Sequence, residues 1–250
     1  MPDRHLLILG GTQEARELAA LAGESLAGRI RVTTSLAGRR PQAPPLSGEV
    51  RLGGFGGVEG LVKFLADNAV DLMVDATHPF SSTMSDHASA AATAVGVPRL
   101  QLRRPPWTLP PAADWIEVDG LVGAAEVLPK FARRVFLTTG ARGLEVFSDL
   151  DTLWFLVRLI DPAAEPPPLT NHQVITGTPP YALKHERAVL AEHDIDTLVS
   201  KHAGGDATAA KITAAAEAGV KIVLIRRPPP EPGPVAETVA DALAWVEGQV

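Results

Sequence analysis

The sequence predicts an α/β protein of two Rossmann-like lobes, each a doubly wound parallel sheet, facing a cleft. Short apolar runs alternate with alanine-rich stretches of helical periodicity, the pattern of parallel strands joined by helices. A proline-rich stretch interrupts the alternation, which then begins again. Because 250 residues are enough for two lobes, we divide the chain into 1–110 and 111–250.

The first lobe is predicted to contain five strands and three helices. Each strand is a short apolar run, and each helix has apolar residues at helical spacing. We place the strands near 5–10, 30–35, 49–53, 71–76 and 98–103, and the helices near 12–22, 58–68 and 81–95.

The stretch "RRPPWTLPPAAD" (103–114) separates the lobes, because proline suits neither a helix interior nor a central strand. The second lobe is predicted to repeat the same design. We place its strands near 134–139, 152–160, 172–176, 196–200 and 221–226, and its helices near 181–193, 206–218 and 235–247.

Two stretches of the first lobe resemble stretches of the second. "AAATAVGVPRLQLRRPP" (90–106) aligns with "TAAAEAGVKIVLIRRPP" (213–229), and "LLILGG" (6–11) aligns with "VFLTTG" (135–140). Since βα units share composition by default, internal duplication and coincidence are equally open.

Charge and composition exclude several classes of protein. A net charge of -6 argues against nucleic acid as a partner. The absence of cysteine excludes disulfides, thiolate metal sites and a thiol nucleophile, and the seven histidines show no familiar metal spacing, so we expect no metal. With no apolar run of about 18 residues and no signal-peptide pattern, we expect a cytoplasmic protein without a membrane partner. A monomer is our default.

The stretch "LLILGGTQEARELA" (6–19) is a strand, a glycine turn and an amphipathic helix. Gly10 and Gly11 let the backbone approach a phosphate, Thr12 offers a hydroxyl, and the N–H groups at the helix start attract an anion. The alternative is that the glycines only make the turn. We favour a nucleotide phosphate because this is the first βα turn.

The end of the second strand, "IRVTTSLAGRR" (30–40), carries Ser35 and no acid that would bind a ribose hydroxyl. Arg39 and Arg40 follow it. We therefore predict NADP(H), with Arg39 as the better candidate for the 2′-phosphate; a solvated arginine pair is the alternative.

The loop "RLGGFGG" (51–57) follows the third strand. Gly53 and Gly54 either lie against the adenosine of the cofactor or permit tight turns, and the sequence does not separate these.

Polar residues of "DATHPFSS" (75–82) follow the fourth strand, on the same edge as the first glycine turn. We expect Asp75, Thr77, His78 and Ser81 to approach the nicotinamide or the substrate beside it. The alternative is that Thr77 or Ser81 caps the next helix, which does not account for the histidine.

The matching stretch of the second lobe is "LVSKHAGGDATAAKI" (198–212), in which a strand runs into Lys201, His202 and a Gly-Gly turn. Other basic residues of this lobe could line the cleft and hold a polyanionic substrate. They are Arg142, Lys184, His185, Arg187, Arg226 and Arg227.

Five stretches taken together are "LILGGTQEARELA", "DATHPFSSTMSDHA", "PRLQLRRPPW", "TTGARGLEVF" and "SKHAGGDATAAKITAAAEAGVKIVLIRRP". They resemble the precorrin-6A reductase family, NADPH-dependent enzymes of cobalamin biosynthesis, over about residues 5–229. The most specific parts are DATHPF and the R-P-x-W element at 104–107, formed by Arg104, Pro105 and Trp107.

The resemblance implies that a ring double bond of precorrin-6A is reduced to give precorrin-6B, with hydride from NADPH and no flavin or metal. It places Gly10, Gly11 and Thr12 at the pyrophosphate, Ser35 and Arg39 at the 2′-phosphate, and Asp75, Thr77 and His78 at the nicotinamide. The substrate is an anionic tetrapyrrole, for which we take as candidates Ser81, Arg104, Arg142, Lys184, Lys201 and Arg226.

The sequence departs from the family pattern at one catalytic stretch. Many relatives read "TKDSGG" where this chain has His202 and Ala203 in place of the aspartate and serine. A proton-donor role of those two residues does not transfer. His78, Lys201 and His202 are the candidates for the donor, with water as another, and whether the substrate carries cobalt is open.

Two other functions are alternatives. An NADP-linked reductase or epimerase of another small molecule usually carries Tyr-x-x-x-Lys, whereas the single tyrosine, Tyr181, has only two residues between it and Lys184. A two-lobed ligand-binding module needs no site for a 2′-phosphate, and NADPH binding would discriminate.

Overall fold

A computed structural model describes residues 4–36, 38 and 47–250. The described chain alternates strands with helices in the order predicted for an α/β fold. The strands are β1 (Arg4–Leu9), β2 (Ile30–Leu36), β3 (Glu49–Leu52), β4 (Leu72–Asp75), β5 (Arg99–Leu102), β6 (Trp115–Val118), β7 (Arg134–Leu137), β8 (Trp154–Leu159), β9 (His172–Thr176), β10 (Thr197–Lys201), β11 (Lys221–Ile225) and β12 (Val235–Ala236). The helices are α1 (Gln13–Ser25), α2 (Gly57–Asp67), α3 (Ser82–Val95), α4 (Gly120–Val127), α5 (Leu183–Glu192), α6 (Ala210–Glu217) and α7 (Val239–Glu247).

The strands form two six-stranded sheets, one in each of two compact units. The first sheet has the order β3-β2-β1-β4-β5-β12 and the second β9-β8-β7-β10-β11-β6, and their strand pairs are parallel. In both sheets the first five strands of the motif follow the dinucleotide-binding order. The predicted fold class of two Rossmann-like parallel sheets is confirmed.

The unit boundaries differ from the predicted lobes 1–110 and 111–250. The first unit comprises Met1–Pro105 and Pro228–Val250, and the second comprises Pro106–Arg227. The last segment returns to the first unit because β12 pairs with β5, and because Ala242 and Val246 of α7 pack into the core beside α1. The second unit is therefore inserted between β5 and β12.

Two edge strands, β6 and β12, and the helix α4 were not predicted. β6 is an exposed four-residue strand beside β11, and β12 has only two residues in a proline-rich stretch. Such short edge strands carry too few buried residues to show a periodic pattern. Each sheet consequently has six strands where the sequence predicted five.

The two faces of the first sheet are covered by different helices. Leu6 and Ile8 of β1 pack with α1 and α7, whereas Leu7 and Leu9 pack with α2 and α3. This alternation follows from the two-residue period of a strand. Because all strands run the same way, the turns after β1, β2, β3 and β4 lie at one edge, where ligands bind in such sheets.

The stretches that resemble each other occupy equivalent positions in the two sheets. β1 and β7 are each the central first strand, and β5 and β11 each follow the fourth strand of their sheet. The turns after the first strands contain Gly11 with φ +122° and Gly140 with φ +88°. The arrangement agrees with the alignment, and duplication stays a hypothesis.

Candidate functional site

The first βα turn needs both of its glycines. Gly11 has φ +122°, a backbone conformation that disfavours other residues. A Cβ atom at Gly10 would lie 3.0 Å from Cγ2 of Thr34 and 3.3 Å from Cδ2 of Leu36, so this turn packs closely on β2. The N–H of Gly10 donates to the carbonyl of Ser35 (2.9 Å) and extends the ladder into the turn. The two glycines therefore leave the backbone uncovered at the start of α1.

Thr12 is the N-cap of α1, and its hydroxyl is fully used inside the protein. Oγ1 accepts the N–H of Ala15 (3.1 Å) and donates to the carbonyl of Ala76 (2.8 Å). The single hydroxyl hydrogen therefore bonds the turn that follows β4. Thr12 joins the two motifs that the sequence singled out, the glycine turn and DATHPF.

Ser35 ends the buried part of β2, and the residue beside it in the sheet is Arg51 of β3. The Arg51 guanidinium donates to Oγ of Ser35 (3.3 Å) and to the carbonyls of Gly53 and Gly54, the latter at 2.8 Å. It also lies 3.9 Å from the ring centroid of Phe55. Burial lowers the pKa of Arg51, which remains a cation.

Arg51 was not predicted, because the glycines are the stronger local signal in "RLGGFGG". The signal that could have found it is the parallel register, which sets Ser35 beside Arg51. The carbonyls of Gly53 and Gly54 accept hydrogen bonds from this guanidinium. Arg39, predicted for the 2′-phosphate, and its neighbour Arg40 lie outside the described residues.

Asp75 is a buried carboxylate with internal partners. Oδ1 accepts the N–H (3.1 Å) and the hydroxyl (2.7 Å) of Thr77, and Oδ2 lies 3.4 Å from Nε2 of Gln101, which also reaches Ser85. The residue is 1 % exposed. Asp75 thus fixes the conformation of the Thr77 turn from beneath.

His78 and Ser81 follow in the same turn. Nδ1 of His78 accepts the N–H of Phe80 (3.3 Å), so the neutral ring carries its hydrogen on Nε2. The carbonyl of His78 accepts the N–H of Ser81 (2.7 Å). Ser81 occupies the N-cap position of α3, but its side chain makes no capping hydrogen bond. Helix capping therefore does not account for the Ser81 hydroxyl.

Arg104, at the end of the first segment of this unit, pairs with Glu14 in the first turn of α1. Nη1 of the arginine lies 2.9 Å from Oε2 of the glutamate, and both side chains are largely buried. The predicted substrate residue Arg104 is therefore held against the helix that begins at the glycine turn.

In the second unit, Lys201 ends β10 at the carboxyl edge of the sheet. Burial, and secondly the positive charge of Arg142, lower the pKa of Lys201. Arg142 itself lies exposed in the turn after β7, and Lys184 lies exposed in the first turn of α5. Lys201 and Arg142 are thus brought together by the fold.

His202 and Arg226 meet on one carboxylate. Nδ1 of His202 lies 3.6 Å from Oε1 of Glu117, and Nε of Arg226 lies 2.8 Å from Oε2. Arg226 also pairs with Asp119 (2.8 Å), so its side chain links the end of β11 to the end of β6. The Arg226 side chain pairs directly with Glu117, which lowers the pKa of Glu117.

A buried charge cluster lies behind Lys201 in the second unit and was not predicted. Arg158 and Glu186 form a pair at 2.9 Å with both side chains almost fully buried. Lys211 on α6 is also buried, and its ammonium lies 5.5 Å from the ring centroid of Trp107. Burial, and then the charge of Arg158, lower the pKa of Lys211 to about 7.

The described residues show neither a metal-binding cluster nor a membrane-spanning helix. Within residues 4–36, 38 and 47–250, no group of three or more His, Asp or Glu side chains is arranged to hold a metal ion. Over the same part of the chain, no helix is both long and apolar enough to cross a membrane. The expectations of no metal and no membrane partner stay predictions.

Known proteins resemble this chain over nearly its whole length. The family model described as "Precorrin-6x reductase CbiJ/CobK" matches residues 5–247. A precorrin-6A reductase of Rhodococcus erythropolis is 44% identical over 246 residues, covering 96% of each chain. That of Mycobacterium tuberculosis is 41% identical over 247 residues, covering 97% of each.

A solved structure is similar as well. The structure titled "CobK precorrin-6A reductase" superposes with a TM-score of 0.89 at 35% identity, covering 98% of this chain and 97% of that one. The chain therefore belongs to the precorrin-6x reductase CbiJ/CobK family, oxidoreductases of cobalamin biosynthesis.

Proposed function

We propose that this protein reduces precorrin-6A to precorrin-6B with NADPH. The observation that carries the proposal is the carboxyl edge of the first sheet, where the glycine turn, Ser35 with Arg51, and the Asp75–Thr77 turn converge. Bound NADPH supplies a hydride to one carbon of the macrocycle double bond, and the neighbouring carbon takes a proton. The chain itself need supply no nucleophile.

The first unit fits a dinucleotide at the glycine turn. Gly10 and Gly11 present bare backbone, and the start of α1 presents the positive end of the helix dipole and its first-turn N–H groups, apart from that of Ala15, which Thr12 caps, to a pyrophosphate. The hydrogen of the Thr12 hydroxyl is bonded to Ala76. Thr12 therefore contributes by fixing this turn against the turn after β4.

The 2′-phosphate is assigned to Ser35 and Arg51, together with Arg39 as the sequence predicts. Three of the five N–H donors of the Arg51 guanidinium bond Ser35, Gly53 and Gly54, and we assign the remaining donors to phosphate oxygens. Stacking on Phe55 holds the plane of the guanidinium. Its bonds to Gly53 and Gly54 shape the adjacent loop for the adenosine. A cation at this position favours NADPH over NADH.

The nicotinamide end is assigned to Thr77 and His78, with Asp75 acting beneath them. Because both Asp75 oxygens have internal partners, we assign it to orienting Thr77 instead of contacting the cofactor. His78 carries a donor hydrogen on Nε2 when neutral, and the Ser81 hydroxyl makes no capping hydrogen bond to α3. These groups position the substrate and offer a proton beside it.

The second unit is assigned to the carboxylates of the tetrapyrrole. Lys201 and Arg142 lie together at the carboxyl edge of its sheet, and Lys184 is exposed on α5. A substrate carboxylate would form charge-assisted hydrogen bonds with them. Arg104 and Arg226 are already paired with Glu14 and Glu117, so we rank them below Lys201 and Arg142 as substrate contacts.

The relatives support a substrate without cobalt. Those named precorrin-6A reductase are 37% to 44% identical to this chain. Those named cobalt-precorrin-6A reductase, from Priestia megaterium, Synechocystis and Salmonella typhimurium, are 25% to 29% identical. We therefore assign precorrin-6A as the substrate. The cytoplasmic location and the monomeric state stay predictions.

The proposal is tested by incubating the purified protein with precorrin-6A under low oxygen and following nucleotide oxidation. We expect NADPH oxidation that depends on precorrin-6A, with NADH much slower. Cobalt-precorrin-6A serves as the alternative substrate, and protein without tetrapyrrole as the control. NADPH binding without turnover of either tetrapyrrole would contradict the assigned reaction.

A further inference from the structure

Trp107 makes two hydrogen bonds to the turn that carries Lys201. Its indole Nε1–H donates to the carbonyl of Gly205 (2.7 Å), and its own carbonyl accepts from Nε2 of His202 (3.0 Å). The indole and imidazole rings stack with centroids 6.1 Å apart. These contacts join the proline-rich segment after Pro106 to the β10–α6 turn of the same unit.

Both nitrogens of the His202 ring face the protein. Nε2 must carry its hydrogen, because the carbonyl of Trp107 only accepts. Nδ1 faces the carboxylate of Glu117 at 3.6 Å, and that carboxylate also binds Arg226. The side chain of His202 is only 12 % exposed. A proton on either nitrogen is therefore already shared with a group of the protein.

The turn needs such support, because its backbone is unusual. Gly204 and Gly205 have φ +70° and +79°, and the N–H of Ala203 donates to the carbonyl of Lys201 (2.8 Å). The N–H of His202 donates to the carbonyl of Ile225 on the neighbouring strand (3.0 Å). Lys201 is consequently set at a point where the backbone leaves the sheet and turns back.

We propose that Trp107 and His202 form a clamp that positions Lys201, and that His202 is a positioning residue and not the proton donor. The inference rests on the proposed function, since it concerns which groups of the second unit act on precorrin-6A. It also gives a role to the tryptophan of the R-P-x-W element at 104–107. The remaining candidates for the proton donor are Lys201, His78 and water.

Two substitutions of His202 separate positioning from proton donation. His202→Gln keeps an N–H donor near the place of Nε2 but cannot titrate, whereas His202→Asn is too short to reach the Trp107 carbonyl. We expect His202→Gln to keep kcat within about threefold and the same pH profile, and His202→Asn to lower kcat by about tenfold. A proton donor would lose about 10² to 10⁴ in both variants.

Substitutions of Trp107 test the clamp itself. Trp107→Phe keeps the stacked ring but loses the N–H bond to Gly205, and Trp107→Leu loses both. We expect kcat to fall in that order, up to on the order of 10² for a misplaced lysine. The Kd for NADPH is expected to stay unchanged, because the residues assigned to NADPH belong to the first unit.

Trp154 provides a matched control within the same unit. Its ring stacks on His193 with centroids 6.0 Å apart and carries the guanidinium of Arg134 at 3.9 Å, but it begins β8 and so lies at the opposite edge of the sheet. Trp154→Leu should lower the melting temperature without lowering kcat. Equal loss of kcat in the Trp154 and Trp107 variants would overturn the clamp.

An NMR measurement keeps the inference apart from the proposed reaction. Of four tryptophans, the indole N–H absent from the Trp107→Phe spectrum belongs to Trp107, and we expect it to exchange slowly with solvent and to shift in His202→Asn. Rapid exchange in the wild type would refute the clamp even if turnover occurs. If the clamp signals are present but the wild type never oxidises NADPH with precorrin-6A, the proposed function fails on its own.

Discussion

Replacing Arg51 by glutamine tests how this protein selects NADPH. The guanidinium reaches Ser35 and the carbonyls of Gly53 and Gly54, and we assign it to the 2′-phosphate. A hydrogen bond between charged groups is worth about 1.5 to 3 kcal/mol. Its loss should therefore raise the Kd for NADPH by about 10- to 150-fold.

Loss of the loop contacts would weaken both nucleotides equally, so the ratio of the two Kd values isolates the phosphate contact. We expect Arg51→Gln to lower the preference for NADPH over NADH by at least about tenfold, and Arg51→Lys, which keeps the charge without the fork, to lose less. Nucleotide fluorescence measures both constants. Equal weakening of NADPH and NADH would mean that Arg51 only shapes the glycine loop. Arg39→Ala in the same assay tests the residue that the sequence predicts.

Three further substitutions of buried titratable residues, with one exposed pair as the control, are tested by urea unfolding. Glu186→Gln should destabilise the protein by about 3 to 5 kcal/mol, because it leaves Arg158 buried without an anion. Glu217→Gln removes one partner of an exposed pair and should cost far less stability, because solvent screens that pair. Similar losses in the two variants would refute the burial argument. Lys211→Met should stabilise the protein at pH 7. Between pH 7 and 10.5 the unfolded lysine is protonated and the folded lysine is not, so the free energy of unfolding of the wild type should rise relative to that of the variant. Burial lowers the pKa of His5 from 6.5, so the unfolded state binds more protons and wild-type stability should fall, relative to His5→Gln, as the pH drops below 6.5; parallel pH profiles would contradict this.

The first glycine turn was predictable from sequence, whereas its partners were not. An apolar run followed by Gly10 and Gly11 is a local signal with a local cause. The position of Arg51 beside Ser35 follows from the register of β2 and β3 in the sheet. The register depends on packing across the sheet, which one strand's sequence does not contain.

The C-terminal segment shows the same limit on a larger scale. Val235 pairs with Gln101, far earlier in the chain, through a two-residue strand that carries no periodic signal. The helix α7 was predicted, but its sheet was not, because its apolar face fits any helix-covered sheet. Trp107 likewise was recognised as part of a motif, while its contact with His202 required the fold.

We expect hydride to pass from NADPH to the macrocycle without an intermediate carrier, and isotope transfer distinguishes this from indirect reduction. The protein is incubated under low oxygen with precorrin-6A and NADPH deuterated at both C4 positions of the nicotinamide, and the tetrapyrrole is analysed by mass spectrometry. We predict a product that has gained one deuterium from the nucleotide and one hydrogen from water. A reduced product without deuterium, or no reduced product, would contradict direct transfer by this site.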